Sequence, residues 1–321
     1  MSKLVRQLLP FGSLILIICI LSALKPDTFL TTENFLNVLR RSSVNGIIAV
    51  GMTAIIISAG IDLSVGSMMA LSGMVGAWVM IVIGGANPQG GALVIGTFVG
   101  IITGLACGFL NGVLITKLKL PPFIVTLGTM STFRGISYVM NAGKPYNVPH
   151  YKYLNEGVVM GIPISILIFA VIIALAGFLL KYSRLGRYTY AIGSNREAAF
   201  HAGVNVDSYL IRIYALTGLV VGIAAMITTS RAVSAQPTAG VTLELDIIAA
   251  VVIGGASLSG GRGTIIGTLI GTLLISFLRN GCTLLDISTN VQLIVIGAII
   301  IVAVAVDQLA RSKAAAGGQA E

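Results

Sequence analysis

The chain has 321 residues, of which 56% are hydrophobic and 10% charged, and its mean hydropathy is +0.98. A soluble domain carries about 25% charged residues, so this composition excludes a protein that faces water on all sides. The basic excess, 20 Lys and Arg against 11 Asp and Glu, comes without a basic helix or aromatic-interleaved patch. That sets aside a nucleic-acid partner and leaves membrane topology and anionic lipid as its reading.

Apolar runs near the ~20 residues that a helix needs to cross hydrocarbon recur along the chain. Ten spans are expected, at 8–24, 45–60, 65–83, 92–115, 122–140, 161–180, 209–230, 244–257, 264–278 and 289–306. The expected fold is all-α, a polytopic transmembrane bundle forming one domain over 1–310 with a short polar tail at 311–321. The first run follows Lys3 and Arg6 like a secretory signal, but Ser22-Ala23 is a feeble cleavage site, so it reads as a retained helix. Lys and Arg gather on the side holding Lys117, Lys119, Lys181, Arg184, Arg187, Arg196 and Arg262, which places both termini in the cytoplasm.

"GTFVGIITGLACGFLNG" (Gly96 to Gly112) resembles "GTIIGTLIGTLLISFLRNG" (Gly263 to Gly281). The copies enter spans four and nine, so they run in opposite directions, the inverted-repeat plan of many transporters. Cys19, Cys107 and Cys282 show no pairing or metal-ligand spacing, and His150 and His201 lie in different loops.

Polar residues interrupt the apolar sequence at two places. In "ISAGIDLSVGS" (Ile57 to Ser67), Asp62, Ser64 and Ser67 sit between spans two and three. An ionisable residue at membrane depth is a functional hypothesis by default, so Asp62 lines a polar path or binds a sugar hydroxyl. The alternative is a helix cap on span three by Asp62 or Ser64. In "SRAVSAQPTAGVTLELD" (Ser230 to Asp246), Gln236-Pro237 breaks the helix, and Glu244 and Asp246 suit the N-terminal dipole of span eight. Arg134, inside span five, either snorkels or pairs with a buried acid. A pathway for a neutral polar solute needs hydroxyls and amides rather than a catalytic group. The candidates are Asn45, Ser58, Asp62, Ser64, Ser67 and Asn111, with Thr53, Ser72, Thr126, Thr129 and Asn280 as further members.

The longest inner loop, Lys181 to Tyr209, holds a short helix from Asn195 to Ala202. Ser194 is its expected cap, Glu197 completes an S-x-x-E capping box, and Gly203 closes it in the left-handed conformation. Such a helix is either a docking element or an amphipathic surface connector. "SLSGGRGT" (Ser257 to Thr264) is close to the signature of ABC ATPases. However, the sole Gly-Lys pair, Gly143-Lys144, precedes Pro145, so there is no P-loop to cradle phosphates. The glycines read as a tight inner-face turn, and the chain is not an ATPase.

"SVNGIIAVGMTAIIISAGIDLSVGSMMALSG" (Ser43 to Gly73), "RLGRYTYAIGSNREAAFHAGV" (Arg184 to Val204) and "SAQPTAGVTLELDIIAAVVIGGASLSGGRGTIIGTLIG" (Ser234 to Gly271) resemble the ribose/xylose/galactose-type permeases of bacterial ABC importers, ribose permeases above all. The resemblance covers nearly the whole chain. It implies a multi-pass subunit of the bacterial cytoplasmic membrane that works as a homodimer. Its partners would be a cytoplasmic ATPase, which alone binds ATP and Mg, and a periplasmic or lipid-tethered sugar-binding protein. It implies no cofactor on this chain and alternating access as mechanism. Within the inner loop, about 181–208, it makes Ser194, Asn195, Arg196, Glu197, Ala198, Ala199 and Gly203 the helix that couples to the ATPase. The rival readings, a stand-alone secondary carrier, an intramembrane enzyme and a channel, find respectively only Asp62 as a buried carboxylate, no clustered catalytic groups, and a capped docking helix that they do not need.

Overall fold

The computed structural model describes the backbone of residues 3–317 and the side chains of residues 11–302 and 305. Helix α1 (Lys3–Leu24) and the single turn α2 (Pro26–Phe29) lead into α3 (Thr32–Ile57). Then come α4 (Val65–Gly84), α5 (Gly91–Lys117) and α6 (Pro122–Val139). A stretch of short elements follows with β1 (Tyr146–Asn147), α7 (Tyr153–Glu156), β2 (Val158–Val159) and β3 (Ile162–Pro163). The second half holds α8 (Ile164–Tyr182), α9 (Arg184–Ser194), α10 (Arg196–His201), α11 (Val206–Ala232), β4 (Ser234–Ala235), α12 (Leu243–Ile253), α13 (Ile265–Leu284) and α14 (Thr289–Gly317). β1 pairs antiparallel with β4, Tyr146 opposite Ala235, and β2 pairs with β3.

Each apolar run of the sequence falls on a helix of its own: α1, α3, α4, α5, α6, α8, α11, α12, α13 and α14. Among the described residues α4, α5, α8, α11 and α13 are long and apolar enough to cross a membrane. Shorter apolar stretches lie at Phe11–Leu24 and Thr289–Val302. The chain is a polytopic helical membrane protein. α14 continues past residue 310 to Gly317; residues 318–321 of the expected tail lie outside the described residues.

Lipid offers no hydrophobic drive for helix association, so close backbone packing through small residues takes its place. α5 supplies Gly96, Gly100, Gly104, Gly108 and Gly112, one per turn on one face. A methyl at Gly104 or Gly108 would lie 2.8–2.9 Å from the backbone of Gly222 or Gly218 on α11, and one at Gly100 would lie 2.9 Å from the Ser72 carbonyl on α4. α5 is therefore wedged between α4 and α11. α13 sits equivalently, against α12 through Gly267, Gly271 and Gly254, and against α3 through the Thr53–Thr268 hydroxyl pair at 2.6 Å. α3, α4, α11 and α12 build the main core, with Ile47, Met52, Ile55, Met68, Val221 and Val251 sealed inside. α8 leaves Val171, Leu175 and Phe178 outward, as a lipid-facing helix does.

Candidate transport path and docking helix

Between α3 and α4 the chain breaks for seven residues, and Asp62 is fully buried there. Its Oδ1 accepts from the Ser64 backbone N–H (2.8 Å) and hydroxyl (2.6 Å), and the Asn111 amide of α5 donates to its Oδ2 (3.3 Å) and to Ser64 Oγ (2.8 Å). The Tyr214 hydroxyl of α11 donates to the Ile61 carbonyl at 3.2 Å. Ser67 turns its hydroxyl back to the Ser64 carbonyl. Neither Asp62 nor Ser64 caps α4: Asp62 accepts from the Ser64 N–H, one residue ahead of the first helical amide, and α4 has no side-chain cap. Ser64 stands at the N-cap but spends its hydroxyl hydrogen on Asp62 rather than accepting from the helix. This node ties α4 to α5, and the Tyr214 bond ties the loop to α11; Asp62, Ser64, Ser67 and Asn111 are all buried.

The second break reaches deeper. Ala235 lies beside Gly73 of α4, yet Gly240 packs against Gly66, seven residues earlier on the same helix. At ~1.5 Å per residue, the segment descends roughly 10 Å along α4 without helical structure before α12 begins. Non-helical backbone at that depth must be covered by protein or line a cavity. Arg134 provides cover: its guanidinium donates to the carbonyls of Pro237 (2.6 Å) and Ala239 (2.7 Å). Of the two alternatives left open by the sequence, snorkelling or pairing with a buried acid, Arg134 follows neither: its hydrogen-bond partners are backbone carbonyls, because a guanidinium offers several donors to a bend whose carbonyls have lost helical partners. Asp246 instead pairs with Arg279 of α13 at 2.8 Å, a structural contact within the bundle. The Glu244 carboxylate lies against Gly66, at the positive N-terminal end of α4.

The loop from Lys181 to Tyr209 is mostly helical. α9 runs through Gly193 and Ser194, so Ser194 is not the cap expected from sequence. Asn195 takes that place, its side chain accepting from the Ala198 N–H at 2.9 Å. The short side-chain carbonyl of Asn195 reaches the third helical amide, which leaves Glu197 exposed and without a capping role. The C-terminus follows expectation. Gly203 has φ +82°, its N–H donates to the Phe200 carbonyl, and Val204 N–H donates to the Ala199 carbonyl. This doubly bonded ending, with Ala199 and Val204 in one small apolar cluster, fixes the exit angle. α10 presents Arg196, Glu197, Ala198 and Phe200 outward.

The "SLSGGRGT" turn lies against this element. Gly261 N–H donates to the carbonyl of Ile57, the last residue of α3, at 2.8 Å. The Tyr190 hydroxyl of α9 donates to the Gly263 carbonyl at 2.7 Å, and burial raises its pKa, so it stays a donor. A side chain at Gly193 would run into the Ile57 carbonyl, and one at Gly260 would lie 2.6 Å from the Gly193 carbonyl oxygen and 2.7 Å from Ala59 Cβ. The turn is a joint between α9, α3 and the α12–α13 connection.

Comparison with known proteins decides the class. The family of branched-chain amino acid transport system / permease components matches residues 34–304. The ribose import permease protein of Haemophilus influenzae is 44% identical over 309 residues, 94% of this chain and 93% of that protein. That of Bacillus subtilis is 44% identical over 307 residues, 94% and 93%, and the D-allose transport system permease protein of Escherichia coli is 38% identical over 301 residues, 93% and 90%. The chain belongs to this permease family. No solved structure gives a significant match. The permease is a transport subunit rather than an ATPase, and its signature-like turn is an internal joint.

Of the pathway residues expected from sequence, Asp62, Ser64, Ser67 and Asn111 come together. Ser58 stays near, its hydroxyl bonded to the Ile55 carbonyl. Asn45 does not join them: it is half-buried about four turns back along α3. Thr53 pairs with Thr268, Asn280 exchanges bonds with Asn34 (2.7 and 3.2 Å), Thr129 bonds back to its own helix, and Thr126 does so too while also reaching the Ile61 carbonyl beside Asp62 at 3.5 Å. The permease also has a cleft of about 150 Å³ between α4, α11 and the descending segment, lined by Thr228, Thr229, Ser234 and Gln236. None of these was a pathway candidate. The usable signal was Gln236-Pro237, a helix breaker in an apolar setting.

Proposed function

We propose that the permease is the membrane-spanning subunit of an ATP-driven importer that takes a monosaccharide, ribose first among them, from an extracytoplasmic binding protein and releases it inside by alternating access. The observation that carries this reading is end-to-end similarity, at 44% identity, to proteins named as ribose import permeases. The family description names amino acids, and the full-length relatives named for sugars outweigh it. The ten helices are the ten spans, arranged as an inverted repeat with both termini in the cytoplasm of a bacterial cell and the chain in its cytoplasmic membrane. The equivalent settings of α5 between α4 and α11 and of α13 between α12 and α3 support that repeat.

α10, with Arg196 through Ala199 and Gly203, is the helix that docks in a cytoplasmic ATPase, and Ser194 and Asn195 set its angle. Closure of the ATPase drives α10, and the glycine joint passes the motion to α3 and so to the Asp62 break. The permease works as two copies. α6 supports this: Gly128, Ser131, Thr132 and Gly135 form an exposed face of small residues, the kind through which membrane helices approach one another closely.

The test is affinity purification of the tagged permease from its native membrane, with mass spectrometry and ribose uptake in vesicles. A co-purifying P-loop ATPase, lost on Glu197→Lys, is the expected result. A chain that purifies alone and moves sugar without ATP would overturn it.

A further inference from the structure

The cleft beside the descending segment differs from the buried Asp62 node in three ways. It is open, whereas the node is sealed. Its volume, about 150 Å³, far exceeds the ~10–15 Å³ that one water requires. Its lining has hydroxyls, a carboxamide and small apolar groups but no charged side chain. An ion or a zwitterion would enter without a counter-charge, which is costly, whereas a neutral polyhydroxylated molecule finds what it needs.

Two further observations point to a ligand there. Thr229 is 3% exposed, lines the cleft, and its hydroxyl has no hydrogen-bond partner among the described residues. Its neighbour Thr228 behaves as helix threonines usually do and bonds back to the Ala224 carbonyl. A hydroxyl that faces the cleft with no partner in the bundle is free to donate to and accept from a ligand hydroxyl. In addition, the segment is bracketed by Val233 (φ +50°) and Thr242 (φ +64°). Both are β-branched residues in the left-handed region, where they are strained, and such strain gathers at ligand clamps and switches.

We propose that this cleft is a transit subsite for a neutral monosaccharide, with the Thr229 hydroxyl and the Gln236 carboxamide as its hydrogen-bonding groups. The inference rests on the importer reading and deepens it, placing the sugar against the α11–α12 break rather than at Asp62. Gln236, exposed at the mouth, offers both a donor and an acceptor to a sugar hydroxyl. Arg134 holds the Pro237 and Ala239 carbonyls and so keeps that wall in place.

The test measures uptake of radiolabelled ribose, allose, fructose and leucine in vesicles carrying the permease with its ATPase and binding protein. Thr229→Val removes the hydroxyl at constant shape, Thr229→Ser keeps it, and Gln236→Leu removes the amide at an exposed position. Sugar uptake should fall about fivefold for each lost bond, and Thr229→Ser should restore most of it. Wild-type uptake by Thr229→Val would overturn the subsite, as would a Thr229→Ser variant as slow as Thr229→Val, since packing alone would then explain the loss. Should Thr229→Val fail to insert, unchanged uptake by Gln236→Leu overturns it as well. A wild type that takes up leucine, or none of the sugars, ends the importer reading itself and the subsite with it.

Discussion

Gly193→Ala would place a methyl at the joint between α9, α3 and the α12–α13 connection. The new carbon would collide with the Ile57 carbonyl oxygen and lie 2.7 Å from Gly261 N and 2.8 Å from Ile57 C. All three obstacles are backbone, so no side chain can swing away. For ordinary contact at 3.4 Å the Gly261 backbone must retreat by about 0.7 Å and the Ile57 carbonyl oxygen by more than twice that, and the methyl sits on the acceptor of the Gly261–Ile57 hydrogen bond. Overpacking costs about 1–3 kcal/mol and the weakened bond about 1 kcal/mol. Alanine's better helix propensity returns about 1 kcal/mol. The net loss is about 1–3 kcal/mol, a fall in melting temperature on the order of 2–6 °C. The assay pairs thermal unfolding in detergent with the ratio of sugar moved to ATP hydrolysed. If α10 is the coupling helix proposed above, uptake should fall further than ATPase activity, because α10 would still dock while its motion would no longer reach α3. Gly177→Ala on α8 is the control. No atom lies within 4 Å of its added carbon, so it should melt at or slightly above wild type. A Gly193→Ala protein with wild-type melting and wild-type coupling would refute the joint.

Arg134→Met orphans the Pro237 and Ala239 carbonyls, and each charge-assisted bond is worth about 1.5–3 kcal/mol; uptake should drop more than tenfold, with partial recovery in Arg134→Lys, and an active Met variant would show that the segment holds itself. Arg279→Met leaves Asp246, 8% exposed, without its partner. The cost should be about 2–4 kcal/mol, below the full price of a buried charge because Arg279 is itself 23% exposed. Asp246→Leu with Arg279→Met should return melting toward wild type, and a double variant as unstable as the single would contradict this. Gly203→Pro replaces φ +82° with a ring fixed near −65°, and Glu197→Lys reverses the charge on the exposed face of α10. Both should abolish uptake while the protein stays inserted; normal uptake in both would remove α10 from the coupling path.

Helices were the most legible feature, since lipid leaves a helix little choice but to be apolar along its length. The Gly203 ending was equally legible, because a glycine after a short polar helix meets a local steric need. Legibility failed where two local solutions competed. Ser194 and Asn195 are both good caps, and the choice fell to Asn195 because α9 continues through Gly193 to pack on Ile57, a contact 136 positions away in sequence number. Arg134 was recognisable as costly, but its partners are carbonyls of a segment whose path no local pattern encodes. The hydroxyls singled out as pathway members are mostly satisfied within the bundle, since a Thr or Ser in an apolar run looks the same whether it bonds its own helix or faces a cleft.

What the sequence by itself determined was the solvent, the helical class, the permease family and the absence of an ATPase site, all of which depend on composition, period or long motifs. Tertiary structure alone decided that Asp62 is sealed, that the glycine turn is a joint, and that Thr229 is left free beside a charge-free cleft. Those facts depend on which backbones approach across the bundle, and in lipid that approach is set by glycine contacts and carbonyl satisfaction between distant segments rather than by the hydrophobic pattern along any one of them.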